Sequence, residues 1–209
     1  MANTNSPFGF QPYGNTGGPM NFRVSTRRIA SGNSTAIYKG DAVVPVTGTL
    51  TGYIAQATAS TIELAGIFWG CKYISTAQKR QVWSNYWPGS DTAYDVEAYV
   101  IDDPQARFLC QTAASGYAIT GTTPSIFTSA PALGKNFQLN VGTGSTATGL
   151  SGMYADTVGT TATYPFKMVD FWYGPPGANG SDITSAYCWI VCEFNHENWR
   201  SNGAVTGPS

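Results

Sequence analysis

The chain has 209 residues and a mass of 22.2 kDa, and its 11 Lys and Arg residues nearly balance its 12 Asp and Glu residues. The formal net charge of −1 excludes the strongly basic surface with which proteins usually hold a nucleic acid backbone. No apolar run approaches the ~20 residues of a membrane-spanning helix, and the N-terminus lacks the basic and apolar regions of a secretory signal. We therefore expect no nucleic acid or membrane partner, and folding in the compartment where the chain is made.

The composition indicates a β-rich fold. Charged residues make up only 11% of the chain, whereas there are 24 glycines and aromatic residues reach 13%. Glycine is costly inside helices, and aromatic and β-branched residues favour strands joined by tight turns. The sequence therefore predicts an all-β protein, either a β-sandwich or a small β-barrel, with an extended N-terminal arm and long Gly/Ser/Thr-rich loops.

The N-terminal 28 residues lack a hydrophobic period but contain large apolar side chains at irregular intervals. Disordered linkers usually lack such side chains, so residues 1–28 are predicted to be an extended arm that docks on a surface. Two alternatives remain open for that surface, a neighbouring subunit or the chain's own domain. The arm residues proposed as candidate capsid or subunit contacts are Phe8, Phe10, Tyr13 and Phe22.

Strand signals follow in chain order. Residues 37–46 contain a turn and a short strand that Pro45 pushes toward an edge, and residues 64–73 form a strand interrupted by glycines. Residues 94–101 alternate between two faces, as expected of a half-buried strand. The turn signal Asp102-Asp103-Pro104 separates this run from residues 107–111, which predicts a hairpin or a corner.

The second half contains two further strands. Phe137, Leu139 and Val141 are predicted to face the core, with the intervening polar residues facing outward. Residues 187–194 are apolar on both faces, which is typical of a central strand or of one that a neighbouring subunit buries. Segments 112–131 and 142–163 carry few large apolar residues and are predicted to be surface loops or short outer strands. Residues 29–200 are thus predicted to form one domain, followed by a flexible tail at 201–209.

The residues that usually perform catalysis are scarce. His196 is the single histidine, and no nucleophile-elbow, phosphate-loop or zinc-protease motif occurs. Cys188, Cys192 and His196 share a four-residue spacing, but in a strand such positions lie about 13 Å apart, too far to share a metal ion. We therefore predict a protein that is not an enzyme, with no catalytic residues, no metal and no cofactor.

The four cysteines are predicted to stay reduced and buried, because no export signal precedes them. A glycosidase needs two carboxyl groups on either side of the bond that it cleaves, and five carboxylates lie between residues 91 and 103. Their spacing in the sequence alone is weak support for this activity. The adjacent pair before Pro104 is better explained as turn chemistry, with a calcium site as a remote alternative. The carboxylates concerned are Asp91, Asp95, Glu97, Asp102 and Asp103.

Three aromatic residues, Trp83, Tyr86 and Trp87, stand close together before Pro88-Gly89. Such a cluster can belong to the core, to a subunit interface where Trp and Tyr act as anchors, or to a platform that stacks on sugar rings. The sequence leaves all three open, and the three residues join the candidate interface set.

Several segments resemble one family of phage structural proteins. They are Met-Ala-Asn-x-Asn-x-Pro-Phe-Gly-Phe at residues 1–10, Ile-Tyr-Lys-Gly-Asp-Ala-Val at 37–43, Gly-Ile-Phe-Trp-Gly-Cys-Lys-Tyr at 66–73, Tyr-Trp-Pro at 86–88, Tyr-Val-Ile-Asp-Asp-Pro at 99–104, and a closing strand that ends near Asn195-His196. Their order is similar to that in structural proteins of tailed bacteriophages, the head decoration or cement proteins encoded near the major capsid gene. Residues 142–163 match no segment of that family.

The resemblance implies a protein that is made in the bacterial cytoplasm and added to the outer surface of an icosahedral phage head. There it would bind the major capsid protein, associate with itself as a trimer, and stabilise contacts between capsid subunits. The alternative is a carbohydrate-binding or host-attachment module on the virion surface, for which exposed Trp83, Tyr86 and Trp87 would be the discriminating feature.

Overall fold

The structure is a computed structural model that describes residues 2–18, 20–48, 52–113, 133–183 and 185–197. Within these ranges the chain forms fourteen β-strands and no α-helix. The all-β prediction is confirmed. The strands are β1 (Gln11–Asn15), β2 (Val24–Ile29), β3 (Ile37–Tyr38), β4 (Ala42–Pro45), β5 (Ile54–Gln56), β6 (Gly66–Ser75), β7 (Arg80–Ser84), β8 (Tyr86–Trp87), β9 (Val96–Ile101), β10 (Ala106–Gln111), β11 (Asn136–Asn140), β12 (Tyr154–Gly159), β13 (Phe166–Phe171) and β14 (Trp189–Phe194).

Three antiparallel sheets account for these strands. The first, sheet A, has the order β1-β10-β14-β13-β11-β12. The second, sheet B, has the order β2-β9-β6-β4-β5, with β7 also paired to β6, and a two-stranded sheet joins β3 to β8. The described strands pack as a sandwich and form no closed barrel, so of the two predicted architectures the sandwich is the one observed.

Sheet B has a core on each of its faces. Successive side chains of a strand point to opposite faces, and neighbours such as Val100 and Ile101 accordingly enter different apolar clusters. The cluster of Ile101 contains Phe108, Phe166 and other residues of sheet A. The cluster of Val100 contains Trp87 of the two-stranded sheet. Sheet B is therefore the middle layer.

The predicted central strand is confirmed, because β14 lies between β10 and β13 in sheet A and four of its six residues are buried. The half-buried strand predicted at residues 94–101 corresponds to β9, whose Val96, Ala98 and Val100 are fully buried. The next strand, β10, belongs to the other sheet. The turn at Asp102-Asp103-Pro104 is therefore a corner between the two sheets, and not a hairpin.

The prediction for residues 136–141 was partly wrong. Phe137 and Leu139 are buried, but Asn136 is buried with them and Val141 is exposed. Asn136 can enter the interior because its side-chain amide donates to the carbonyl oxygen of Thr161 at 3.0 Å. Val141 lies beyond the last residue of β11, so the alternation of side chains along the strand does not determine which way Val141 faces.

The N-terminal segment is built into the domain and does not project from it. Strand β1 pairs with β10 of sheet A, and strand β2 pairs with β9 of sheet B. Of the two open alternatives, the structure shows packing on the chain's own domain. The predicted tail, residues 201–209, lies outside the described residues.

The entry of the N-terminal segment into the fold requires two glycines. Gly9 and Gly40 both have positive φ, 74° and 93°, and a Cβ atom on Gly9 would lie only 2.6 Å from the carbonyl oxygen of Gly40. The backbone N–H of Phe10 donates to that same oxygen at 2.9 Å. The chain thus crosses itself at a distance that only glycine allows, between the first segment and the turn before β4.

All four cysteines, Cys71, Cys110, Cys188 and Cys192, are free and buried. Burial raises the pKa of Cys71 to about 12 and that of Cys188 to about 11. At neutral pH both thiols are protonated, and a protonated thiol is a poor nucleophile.

Asp41 is a buried residue whose carboxylate accepts three hydrogen bonds. Its oxygens accept from the Ser151 hydroxyl at 2.5 Å, from the Tyr38 backbone N–H at 2.8 Å and from the Gln56 amide at 2.8 Å. Desolvation nevertheless dominates, and it raises the pKa of Asp41 above its ordinary value of 3.8. The carboxylate joins the start of β4 to β5 and to the loop before β12.

We expect this pKa shift to appear in the pH dependence of stability. The folded state keeps the Asp41 carboxyl protonated to a higher pH than the unfolded chain does. The contribution of Asp41 to the free energy of unfolding therefore falls as the pH rises from about 3.8 to the raised pKa of the folded state. Above that pKa the contribution no longer changes with pH. Urea unfolding of the wild type and of Asp41→Asn between pH 3 and pH 7 measures this. The free energy of unfolding of the wild type should decline relative to the variant as pH rises, and a relative increase would contradict the assignment.

Candidate binding surfaces

Two of the seven candidate contact residues are core residues. Phe10 and Trp87 are both fully buried. The Phe10 ring stacks on Phe166 with 4.2 Å between centroids, and Trp87 packs edge-to-face on Tyr73 at 5.0 Å. Neither side chain can contact a partner in this fold, so the prediction of Phe10 and Trp87 as interface residues is corrected. For Trp87 the structure selects the core among the three readings of the aromatic cluster.

Two further candidates are half-buried against the chain's own sheets. The Phe8 ring lies edge-to-face on Trp189, with centroids 4.8 Å apart. Phe22 packs on the core cluster between sheets A and B. Because both rings already have apolar partners within the chain, they are anchors of the N-terminal segment on its own domain.

The remaining arm candidate, Tyr13, belongs to an exposed apolar patch. Its side chain is 46% exposed, and Met20 and Tyr173 are 62% and 70% exposed. The three residues line one shallow depression of about 400 Å³ on the outer side of sheet A, next to the edge strand β1. We call these three residues the sheet A patch.

Trp83 and Tyr86 line a groove on sheet B. The groove has a volume of about 510 Å³, within the range of small-molecule sites. Trp83 is 66% exposed, and its ring lies nearly parallel to that of Tyr99, with centroids 5.7 Å apart and an angle of 4°. We call this site the aromatic groove, and its ring and charge-bearing residues are Lys39, Trp69, Trp83, Tyr86 and Tyr99.

A β-bulge builds the floor of the aromatic groove. The register between β6 and β9 shifts between Phe68 and Gly70, so that Trp69 and Gly70 together stand opposite Tyr99. Gly70 has φ of 154° and lines the groove without a side chain. A Cβ atom on Gly70 would lie 3.1 Å from the Ser84 carbonyl oxygen, so the absence of a side chain lets this part of β6 pack closely against Ser84 of β7.

A tight turn forms one wall. The turn at residues 145–149 is closed by the Gly149 N–H, which donates to the Ser145 carbonyl oxygen at 2.7 Å. Its outer residues, Thr146 and Thr148, are exposed and line the groove. The Lys39 N–H donates to the Gly149 carbonyl oxygen at 2.9 Å, which fixes the turn to the segment before β4. The wall is therefore held by backbone bonds before any ligand arrives.

Two lysines accompany the tryptophans of the groove. Lys72 lies 5.1 Å from the Trp83 ring centroid and pairs with Glu97 at 2.9 Å, an interaction that lowers the pKa of Glu97. Lys39 lies 3.8 Å from the Trp69 ring centroid, a cation–π contact. Within the described ranges no carboxylate lies within salt-bridge distance of Lys39, and none lines the groove.

Two of the candidate catalytic carboxylates, those of Asp91 and Asp95, accept hydrogen bonds that give them a structural role. Asp91 accepts from the Ser75 and Thr76 hydroxyls and from the Ala77 N–H, and the Ser75 hydroxyl is the main cause of its lowered pKa. Asp95 accepts from the Tyr53 hydroxyl at 2.7 Å.

At the corner between the sheets, Asp102 is fully buried. Its carboxylate accepts from Arg23 Nε at 2.8 Å, from an Arg27 guanidinium nitrogen at 2.9 Å and from the Ser25 hydroxyl at 3.0 Å. Asp103 accepts from the Gln105 N–H at 2.9 Å, as expected of a turn. These bonds explain both aspartates as parts of the corner.

His196 is half-buried, and one ring nitrogen lies 3.0 Å from the carbonyl oxygen of Ile62. In the part of the chain that the structure describes, no three His, Cys, Asp or Glu side chains are grouped so that they could hold a metal ion. Among the same residues no helix has the length and apolarity required to cross a membrane.

Sequence reasoning missed Lys39, Trp69 and Tyr99 as partners of Trp83 and Tyr86. A signal was present for Tyr99, because the alternation of β9 places it on the face opposite Val100. For Trp69 the signal was the following glycine, which marked the bulge. Lys39 could not be found, since its contact with Trp69 depends on how β4 pairs with β6.

Comparisons of the chain with protein-family models, with curated proteins and with solved structures find no match. Functional proposals therefore rest on the two exposed surfaces and on the sequence motifs.

Proposed function

We propose that the chain is a capsid decoration, or cement, protein that binds the outer surface of an icosahedral phage head. In this proposal its partners are the major capsid protein and further copies of itself, as trimers. The order of the sequence motifs, which resembles that of phage decoration proteins, supports the virion assignment.

The sheet A patch is the observation that carries the contact proposal. Exposed Tyr and Met side chains grouped on a rigid sheet are typical of protein–protein interfaces, which are enriched in these residue types. Tyr13 and Tyr173 present rings that lose little conformational entropy on binding. The charged side chains of Arg107 and Asp170 line the same depression, so a partner that covers the patch must supply hydrogen bonds or an opposite charge for them.

The proposed mechanism is thermodynamic and involves no chemical turnover. A protein that binds the assembled shell and not its dissociated subunits stabilises the shell by mass action. Symmetry repeats one contact many times, so that even modest individual contacts hold the particle together.

The structure changes the part that the N-terminal segment plays in this mechanism. Phe10 occupies the chain's own core and cannot insert into a capsid pocket. The segment instead contributes Tyr13, on the outer side of β1, to the sheet A patch. Contact with the capsid is therefore assigned to the body of the sandwich.

Replacing both tyrosines of the patch tests the proposal. Tyr13→Ser with Tyr173→Ser should lower affinity for purified expanded shells of the phage that encodes the chain by at least about tenfold, because anchor residues dominate interface energy. Co-sedimentation with the shells measures occupancy, and particle imaging locates the bound density. Size measurement of the free protein reports trimer formation.

Tyr94→Ser is the matched control, because Tyr94 is 66% exposed but lies in the bend just before β9, outside the patch. Both proteins should unfold at the wild-type temperature, and the control should bind shells normally. Absence of binding by the wild-type protein would reject the proposed function. Full occupancy by the double variant would reject the patch as the contact surface.

A second candidate, carbohydrate binding at the virion surface, is favoured by one observation, the aromatic groove with its exposed Trp83. Trp87, once grouped with Trp83 and Tyr86 for this function, is buried and takes no part in it.

A further inference from the structure

We propose that the aromatic groove binds a saccharide that carries a carboxylate, such as a uronic acid. In this assignment a sugar ring lies against the exposed Trp83 ring and the half-buried rings beside it, and its carboxylate lies near the ammonium group of Lys39. The inference is independent of capsid binding, which is assigned to another sheet.

The rings of the groove favour a sugar over an aliphatic ligand. Trp69, Trp83, Tyr86 and Tyr99 supply aromatic rings, and among the residues that the structure describes no Leu, Ile, Val or Met side chain lines the site. The C–H face of a pyranose ring packs on such rings, while its edge requires hydrogen-bond partners. Ser84, Asn85, Thr146 and Thr148 provide hydroxyl and amide groups around the rings.

The shape of the groove does not depend on the ligand. Gly149 has φ of 72°, and a Cβ atom there would lie 2.9 Å from Cβ of Asn85, so the turn packs closely on the segment between β7 and β8. Tyr86 is held by Tyr38, with ring centroids 5.4 Å apart and an angle of 10°. A site fixed in this way loses little entropy on binding.

The positive charge of Lys39 favours an acidic sugar over a neutral one. Lys72 is neutralised by Glu97, but Lys39 has no carboxylate partner within the described ranges. Its ammonium group lies 3.8 Å from the centroid of the Trp69 ring, and such a cation–π contact is weaker than an ion pair in a partly desolvated site. A ligand carboxylate would complete this arrangement.

Titration with paired oligosaccharides tests the proposal. The probes are trisaccharides of glucuronic, galacturonic and mannuronic acid, each with a neutral counterpart that differs only at C6. Calorimetry of the full chain should detect at least one uronate with a dissociation constant of about 1 mM or tighter, and its neutral counterpart should bind at least about fivefold more weakly. Indole N–H resonances of the protein should shift on binding.

Two substitutions separate the two parts of the site. Trp83→Ala should weaken the uronate at least about tenfold, because it removes the most exposed ring. Lys39→Met keeps an apolar stem of similar length over Trp69, and should abolish the preference for the uronate over its neutral counterpart. High salt should reduce the wild-type preference in the same direction.

The Tyr13→Ser and Tyr173→Ser double variant is the control, and it should bind the uronate as the wild type does. Conversely, Trp83→Ala should bind shells normally, so failure of one proposal is distinguishable from failure of the other. No uronate binding, equal binding of acidic and neutral sugars, or unchanged binding by Trp83→Ala would each overturn the inference.

Discussion

Replacing Phe10 with alanine should lower the free energy of unfolding by about 3–5 kcal/mol, the usual cost of truncating a buried phenylalanine. The Phe10 ring is fully buried and stacks on Phe166, which in turn stacks on Phe137. The substitution therefore leaves a cavity between β1, β11 and β13. Urea denaturation followed by fluorescence and circular dichroism measures the change.

Phe8→Ala is the matched control, because Phe8 is an aromatic residue two positions earlier whose ring is only half-buried on Trp189. Its cost should be clearly smaller, because less area is removed from water. If Phe10→Ala unfolded at the wild-type urea concentration, the N-terminal segment would not be packed in solution as it is in the structure.

The second large effect is expected at the corner between the sheets. Asp102→Ala should lower the free energy of unfolding by about 3 kcal/mol, which is at the lower end of the usual cost of breaking a buried ion pair. We expect the lower end because the Arg23 side chain is 52% exposed and can be hydrated when its partner is removed. The carboxylate holds Arg23, Ser25 and Arg27 together, and these residues lie in or just before β2. Its loss should release the β2 edge of sheet B.

Asp103→Ala serves as the control for this variant. Asp103 is adjacent, but it is not fully buried and, among the residues described, has no arginine side chain paired to it. It accepts a turn bond from the Gln105 N–H and weaker bonds from the Asn15 side chain at 3.2 Å and the Arg23 N–H at 3.4 Å, so its removal should cost about 1 kcal/mol. Hydrogen exchange of the β2 amides should accelerate in Asp102→Ala and not in the control. Equal effects of the two substitutions would show that burial of the Asp102 ion pair contributes little.

Local patterns were sufficient to predict the strands that have a clear period. The alternation of β9 and the two-faced apolar character of β14 depend only on the pleat of a strand and on how many of its faces are covered. The arrangement of strands into two large sheets could not be predicted. It depends on pairings such as β1 with β10, in which Gln11 stands opposite Leu109. No local sequence pattern indicates which of two strands so far apart in the sequence will pair.

The same limitation explains the errors among the candidate contact residues. Phe8 and Phe10 look equivalent in the sequence, but only Phe10 points toward Phe166, which lies 156 positions later. Trp83 and Trp87 likewise stand four positions apart, and the first is exposed while the second is buried. Which ring is free depends on the layer that each strand joins.

The motifs that carry the family resemblance converge on packing junctions. Gly9 and Phe10 of the first motif meet Gly40 of the second, and the Gly40 N–H donates to Phe68 of the third at 2.9 Å. Gly66 of the third motif lies against Ile101 of a later one, where a Cβ atom would be 2.4 Å from a backbone oxygen. The aromatic groove also takes Lys39, Trp69, Tyr86 and Tyr99 from these motifs, whereas the three residues of the sheet A patch lie outside them.

The crossing of distant segments has a consequence for how the chain is made. The Asn3 side chain donates to the carbonyl oxygen of Asp182 at 2.8 Å, across 179 positions. On the ribosome, residues near position 3 must therefore wait until the segment around Asp182 has emerged before they meet their partners, and contacts of such long range close slowly. Until then the Phe10 ring has no pocket to enter. Nascent chains would be most prone to aggregation, and most dependent on chaperones, during this interval.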